Sequence, residues 1–248
     1  MRYFLEIAYD GTNYHGWQIQ PNALTVQQVL NDCLSTVLRE TIETVGSGRT
    51  DTGVHAEQQF VHLDVTGKLD KEEACYRFNR ILPHDIAVKN VYEVMPDAHA
   101  RFDAIARTYE YRISLVNNPF IHAYSHFLSR KPDVNLMNEA AAALLSFEDF
   151  TTFSKVKGET KHYRCQIFRA DWQLQADRLL FTIRANRFLR GMVRLVVGTL
   201  LDVGNGKLSV ADFKTTVASQ NRHLASAAAP AAGLFLTKVE YPPNYFGL

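Results

Sequence analysis

Apolar residues recur at every second position in residues 2–9, "RYFLEIAY", which places Tyr3, Leu5, Ile7 and Tyr9 on one face of a predicted strand. A loop rich in Gly, Asn and Pro follows, "DGTNYHGWQIQPN". The period then changes. Val26, Val29, Leu30, Cys33, Leu34, Val37 and Leu38 keep a 3.6-residue spacing, which predicts an amphipathic helix opened by a Thr25/Gln28 capping box. Beyond it "EQQFVHLDV" (57–65) alternates as a strand, "DKEEACYRFNRIL" (70–82) has a helical pattern, and "IAVKNVYEV" (86–94) alternates again. The order assigned to this half is strand, helix, strand, strand, helix, strand.

The second half repeats that order. "ARTYEYRISL" (106–115) alternates, with Tyr109, Tyr111, Ile113 and Leu115 on one side. "NLMNEAAAALLSF" is helical, and the stretches around Ile167 and Phe181 form a pair of strands. Helical patterns cover "GMVRLVVGTLLDV" and "SVADFKTTVAS", and "GLFLTKVEY" closes as a strand. "SAAAPAAG" (226–233) is the one compositionally biased stretch and is assigned as a small-residue connection. Twice β-α-β-β-α-β is the ferredoxin-like unit. The expected fold is therefore α+β: two halves, 1–106 and 107–248, with mostly antiparallel sheets meeting in a central cleft and helices on the outer face.

Composition narrows the class. With 248 residues, 46% hydrophobic and 21% charged, the chain has the makeup of a soluble globular protein with a sizeable core. No apolar run approaches the ~18 residues of a membrane span, and the first residues lack the features of a signal peptide. Three cysteines, Cys33, Cys75 and Cys165, are widely spaced without a CxxC, which argues for a reducing, cytoplasmic setting and against a zinc site or a disulfide framework. The net charge of +1 announces no nucleic-acid partner, but its distribution is suggestive. Positive residues gather at Arg101, Arg107 and Arg112, at Lys155, Lys157, Lys161 and Arg164, and at Arg184, Arg187, Arg190 and Arg194. With "TYEY" and "RFLR" aromatics among them, these clusters are either solvated faces or contacts to phosphates and bases.

Two features carry candidate chemistry. "GSGRTDTGVHA" (46–56) sets Arg49 and Asp51 in a glycine-flanked loop. It is either a turn with a surface ion pair worth ~0–1 kcal/mol or the seat of a catalytic carboxylate. The second is Arg194, the lone charge in a stretch that is apolar on nearly every side and so expected to be buried. An unpaired buried charge costs roughly 3–5 kcal/mol, so a carboxylate is expected to meet it, with Asp51, Asp64 and Asp202 all open as partners. The chain has no P-loop, no GxGxxG, no HExxH and no GxSxG. An enzyme of this composition is expected to work without cofactor or metal, through a carboxylate.

"GRTDTGVHA", "HARFDAIARTYEYRI", "ANRFLRGMVRLVVG" and "GLFL", in this order, and the opening "YDGTNYHGWQIQ" resemble the motifs of the TruA family of tRNA pseudouridine synthases over essentially the whole length. That resemblance implies an enzyme that isomerises uridine to pseudouridine at positions 38, 39 and 40 of the tRNA anticodon arm, as a homodimer without cofactor. It places the nucleophile on Asp51 and sets Tyr109 against the target uracil. Arg194 is implied to pair with the catalytic carboxylate. Arg49 would hold the flipped-out nucleotide and fill its gap, and Leu236 would form an apolar wall of the pocket. Asp103 and Glu148 depart from the family's frequent serine and histidine, and Asp103 adds negative charge near the implied RNA face.

The implied chemistry suits these residue types. The C1′–N1 bond breaks, the uracil turns, and C5 bonds to C1′. An ionised carboxylate either adds to C6 of the base or traps C1′ of the sugar, and a neighbouring guanidinium favours the anion. Flipping the base costs a few kcal/mol, which one aromatic stack of ~1–3 kcal/mol roughly offsets. Without the motif, Tyr109 is a core tyrosine, and His55 stabilises a turn. Trp17 either touches RNA or covers the core. The rival functions are a silent RNA-binding module and a glycosidase, the latter normally needing two flanking acids.

Overall fold

A computed structural model describes residues 1–155 and 162–246. The fold is α+β with mostly antiparallel strand pairing, and it divides into two compact units: Met1–Ala106 together with the segment from Leu236 onward, and Arg107–Phe235.

In the first unit the strands are β1 (Arg2–Tyr9), β2 (Val45–Gly46), β3 (His55–Asp64) and β4 (Ile86–Glu93), with helices α1 (Val26–Leu38) and α2 (Lys71–Ile81). β1 is flanked antiparallel by β4 and β3, and β2 pairs antiparallel with β3. Alternation in the sequence marks only one of the two middle strands. The other, β2, is two residues long and too short to show a period. α1 buries Val26, Leu30, Cys33, Leu34 and Val37, the stripe its 3.6-residue period requires. Its N-cap is Thr25, whose side chain accepts from the Gln28 N–H, but the capping box is incomplete. The Gln28 amide turns outward to the Asp32 carboxylate one turn on, at 3.0 Å, an i,i+4 acceptor whose charge outcompetes the return bond. A reciprocal box forms instead at Ser209 and Asp212.

β1 is buried on both faces rather than one. The Tyr3 hydroxyl accepts from Leu69 N–H just before α2, while Phe4, on the opposite face, packs against Tyr241, Tyr245 and Phe246 at 5.6–5.8 Å between ring centres. That C-terminal segment returns to the first unit, where Val239 N–H donates to Gln58 and the Tyr241 hydroxyl to the Ala100 carbonyl. Glu6 shares the covered face with Phe4, and its buried carboxylate accepts from Gln58, Asn90 and Tyr92. Three donors make that burial tolerable.

The second unit holds β5 (Ala106–Ser114), β6 (His126–Phe127), α3 (Val134–Ala143), β7 (Ile167–Gln175), β8 (Arg178–Ala185), α4 (Met192–Gly204) and α5 (Val210–Ala218); β9 (Leu234–Glu240) follows. β8 lies antiparallel between β5 and β7, and β6 adds a short parallel pairing to β5. Asn138 of α3 donates to the Trp172 carbonyl and accepts from its N–H, at 3.0 and 2.7 Å, which ties the helix to β7. α4 buries Met192, Val193, Leu195, Val196, Val197, Leu200, Leu201 and Val203, as its all-round apolar pattern requires. Truncating one of its leucines to Ala would cost about 2–5 kcal/mol.

The segment 225–230 lies directly along α4. A Cβ on Gly198 would come within 1.9 Å of the Ala227 carbonyl oxygen, so only glycine admits this approach. Ser226 N–H donates to Thr199 Oγ1, and Ala229 N–H donates to the Arg194 carbonyl. The small residues of "SAAAPAAG" are therefore a packing surface as well as a connection.

Candidate active site

In the first unit the glycine-flanked loop is braced from below by backbone and buried polar groups. Ser47 N–H donates to the Phe60 carbonyl at 2.7 Å, and Phe60 N–H returns to Ser47 Oγ. Thr50 is buried; its Oγ1 shares a hydrogen bond of 2.8 Å with the Tyr9 hydroxyl, which also donates to Gln59. The Thr50 carbonyl accepts from Trp17 N–H, and the approach is close enough that a Cβ on Gly16 would sit 2.4 Å from that oxygen. Gly16 also has φ +85°, so both position and backbone demand glycine. On the other side of Asp51, Val54 N–H closes a turn onto the Asp51 carbonyl and Gly53 N–H bonds to Tyr14.

This bracing sets the side chains. Thr50 points into the core, Arg49 is exposed and Asp51 is half-buried. Trp17 is 1% exposed and stacks near Tyr9, so it belongs to the core beneath the loop. His55 is also buried. Its Nδ1 accepts from Gly11 N–H at 3.2 Å, which pins the preceding loop against this one. Leu236 is fully buried on β9, beside β3. The loop is thus a supported platform; Tyr9 and Gly16 lie in the opening motif but have no role assigned from sequence, and Gln59 lies in none of the motifs. Their signal is weak in sequence because each acts from a distant segment.

In the second unit Tyr109 lies on β5 opposite Ile183 of β8, 8% exposed, with the Phe188 ring edge-on at 5.0 Å. Arg194 stands in the first turn of α4 and is half-buried. Its Nε donates to the Ala229 carbonyl at 2.6 Å, so one of its partners is backbone. Its charge also acts on the next tyrosine along β5: burial raises the Tyr111 phenol above its ordinary range, and the nearby Arg194 pulls it back. The Tyr111 hydroxyl donates to the Pro230 carbonyl at 2.8 Å. The segment 225–230 therefore holds Arg194 and Tyr111 together, an arrangement that neither residue's own element discloses.

Several of the clustered cations have structural partners. Arg112 pairs with Glu110 and lies 3.9 Å over the Phe235 ring. Arg107 donates to the Asn186 carbonyl, Arg184 lies over Phe168, and Arg187 meets His162. Lys157 and Lys161 fall outside the described residues. Among the described residues no group of three His, Cys, Asp or Glu side chains is placed to hold a metal ion, and no helix is long and apolar enough to cross a membrane.

The first unit thus carries a half-buried aspartate on a braced loop, and the second unit separately carries a largely buried tyrosine and a half-buried arginine. The family described as tRNA pseudouridine synthase matches residues 7–103 and 140–242. tRNA pseudouridine synthase A of Bacteroides fragilis is 50% identical over 247 residues, covering 99% of this chain and 98% of the relative. Its counterpart in Bacteroides thetaiotaomicron is 49% identical, covering 99% and 92%, and that of Porphyromonas gingivalis 45% identical, covering 99% of each. The chain belongs to the tRNA pseudouridine synthase family, which isomerises uridine to pseudouridine in tRNA. Tyr109 lies between the two matched blocks, in a stretch that the full-length relatives cover.

Proposed function

We propose that this protein converts uridine to pseudouridine at positions 38, 39 and 40 in the anticodon arm of tRNAs, with Asp51 as nucleophile and no cofactor. The observation that carries this reading is the near-full-length identity to relatives named tRNA pseudouridine synthase A. The braced loop around Asp51 supports it, because a nucleophile needs a fixed position.

In the reaction, the Asp51 carboxylate engages the flipped nucleotide and the C1′–N1 bond breaks. The uracil turns without leaving, C5 bonds to C1′, the hydrogen on C5 departs, and N1 takes a proton. Tyr109 stacks on the uracil, Arg194 serves as the cationic partner of the carboxylate, Arg49 fills the place of the extruded base, and Leu236 closes the apolar wall. The working protein is a cytoplasmic homodimer.

The test is incubation with unmodified tRNA transcripts, followed by carbodiimide mapping. Adducts confined to the anticodon arm are expected. Bound but intact uridine would identify a silent RNA-binding module instead, and free uracil would identify a glycosidase.

A further inference from the structure

In the second unit the turns Thr151–Phe153 and Arg222–Leu224 border a cavity of about 320 Å³, lined by Thr151, Ser154, Lys155, Tyr163, Arg222 and His223 among others. Its side chains are complementary to one kind of ligand. Two permanent cations, an imidazole and three hydroxyls converge there, and among the described residues no carboxylate lines it. Such a wall favours an anion with several acceptor oxygens.

Both cations arrive on constrained stems. Arg222 is half-buried, and its Nη1 donates to the Ala225 carbonyl at 3.3 Å. Lys155 N–H donates to the Arg190 carbonyl, and its alkyl chain lies against Gly191, where an added Cβ would be 3.3 Å from Lys155 Cγ and Cε. Less side-chain freedom is lost on binding at Arg222, whose guanidinium is held, than at Lys155, which is exposed and braced only along its stem. Gly191 caps α4, whose first turn carries Arg194. The cavity is therefore next to the arginine helix, yet contains none of the residues assigned to the reaction.

We infer that this cavity seats one phosphodiester of the tRNA backbone, with Lys155 and Arg222 supplying the charge and the hydroxyls the remaining donors. The inference rests on the tRNA reading above. Phosphate contacts fix register rather than read sequence, so the cavity would position the strand for whichever uridine is presented.

The test uses the full chain and tRNA transcripts. Lys155→Gln and Arg222→Gln are each expected to weaken tRNA binding about tenfold at low salt and to lower the salt slope by about one unit. Lys214→Gln removes an exposed cation from α5 outside the cavity and is the comparison, expected to change affinity less than about twofold. Arg222 also anchors Ala225, so melting temperatures are measured, and Arg222→Lys is expected to restore most of the affinity.

Single methylphosphonates placed along the anticodon arm then locate the contact by a double-mutant cycle. One position should weaken binding to the wild type but not to Arg222→Gln. Added inorganic phosphate should compete less well against Arg222→Gln than against the wild type. Equal losses at every position, losses matched by Lys214→Gln, or wild-type affinity in both glutamine variants at unchanged melting temperature would overturn the inference. Pseudouridine is counted in the same samples. A wild type that forms none undoes the functional reading, whereas normal turnover with unaltered variant binding undoes the cavity alone.

Discussion

Asp51 and Tyr109 differ in how much of their role a single atom can carry. Asp51 offers a carboxylate on a loop whose backbone is held by Ser47, Thr50 and Gly53, so Asp51→Asn changes charge and nucleophilicity while the loop keeps its supports. Isomerisation in single-turnover assays should fall by more than the ~10²–10⁴-fold typical of a general acid or base, with tRNA affinity nearly unchanged. A loss of only a few-fold would remove the nucleophile assignment. Tyr109 offers both a ring and a hydroxyl. With tRNA tritiated at C5 of uracil, one label should reach solvent per uridine converted, without free uracil. Tyr109→Phe keeps the ring that packs on Phe188, and should bind RNA normally yet release tritium slowly if the hydroxyl assists proton removal. A phenylalanine variant with full activity, beside an inactive alanine variant, would reduce the role to stacking.

Among the elements, α4 has the most at stake. It is buried on nearly every side, it carries Arg194, and 225–230 is bound along it at Gly198, Thr199 and Arg194. Arg194→Ala removes a charge-assisted bond to the Ala229 carbonyl and leaves a void, so it should lower unfolding free energy by about 2–4 kcal/mol and activity with it. Arg194→Met refills the volume and should recover part of the stability but not the activity. Chemical denaturation that finds Arg194→Ala as stable as wild type would refute this account. Gly198→Ala tests the packing separately. Its Cβ would overlap the Ala227 carbonyl, so the segment must move, at a cost of about 1–3 kcal/mol. Because that segment also holds Tyr111 and Arg194, activity should drop though no functional side chain has changed.

For the whole molecule, pH and salt act through different groups. His62 is buried in the first unit, stacked near Phe4, with Nδ1 accepting from the Ala100 N–H at 3.1 Å. Burial, reinforced by the charges of His99 and Arg2 and opposed by Asp64 and Asp103, lowers its pKa to about 4. The unfolded chain, with an ordinary histidine pKa near ~6.5, then binds the proton more readily than the folded one. Stability is therefore fully present above about pH 6.5 and lost as pH falls toward 4, by at most about 3 kcal/mol from this group. His62→Asn keeps an acceptor for Ala100 and should flatten the fall. Urea midpoints at pH 7 and 4.5 that shift equally in both proteins would exclude His62 as the cause. Salt should act on binding instead: tRNA affinity should decline steeply with ionic strength, and neutralising Lys155, Lys157 and Lys161 together should reduce the slope. A wild-type slope near zero would mean that these charges are merely solvated.

The sequence by itself determined the nature and order of the longer elements, because the periods of 2 and 3.6 are local properties that survive along the chain wherever one face is buried. It also singled out Asp51 and Arg194, since a carboxylate among glycines and a charge in an apolar helix are visible without coordinates. Its motifs were specific enough to point to the family. β2 and β6 escaped because two residues carry no period, and β1 looked one-sided because the rings that cover Phe4 come from beyond residue 240. Only the tertiary structure decided that Trp17 is core, that Tyr9, Gln59 and Gly16 hold the loop, and that "SAAAPAAG" supplies Ala229 to Arg194. Each of these depends on segments distant in sequence meeting through backbone groups and absent side chains, and an alanine or a glycine has no pattern that says where its carbonyl will be needed.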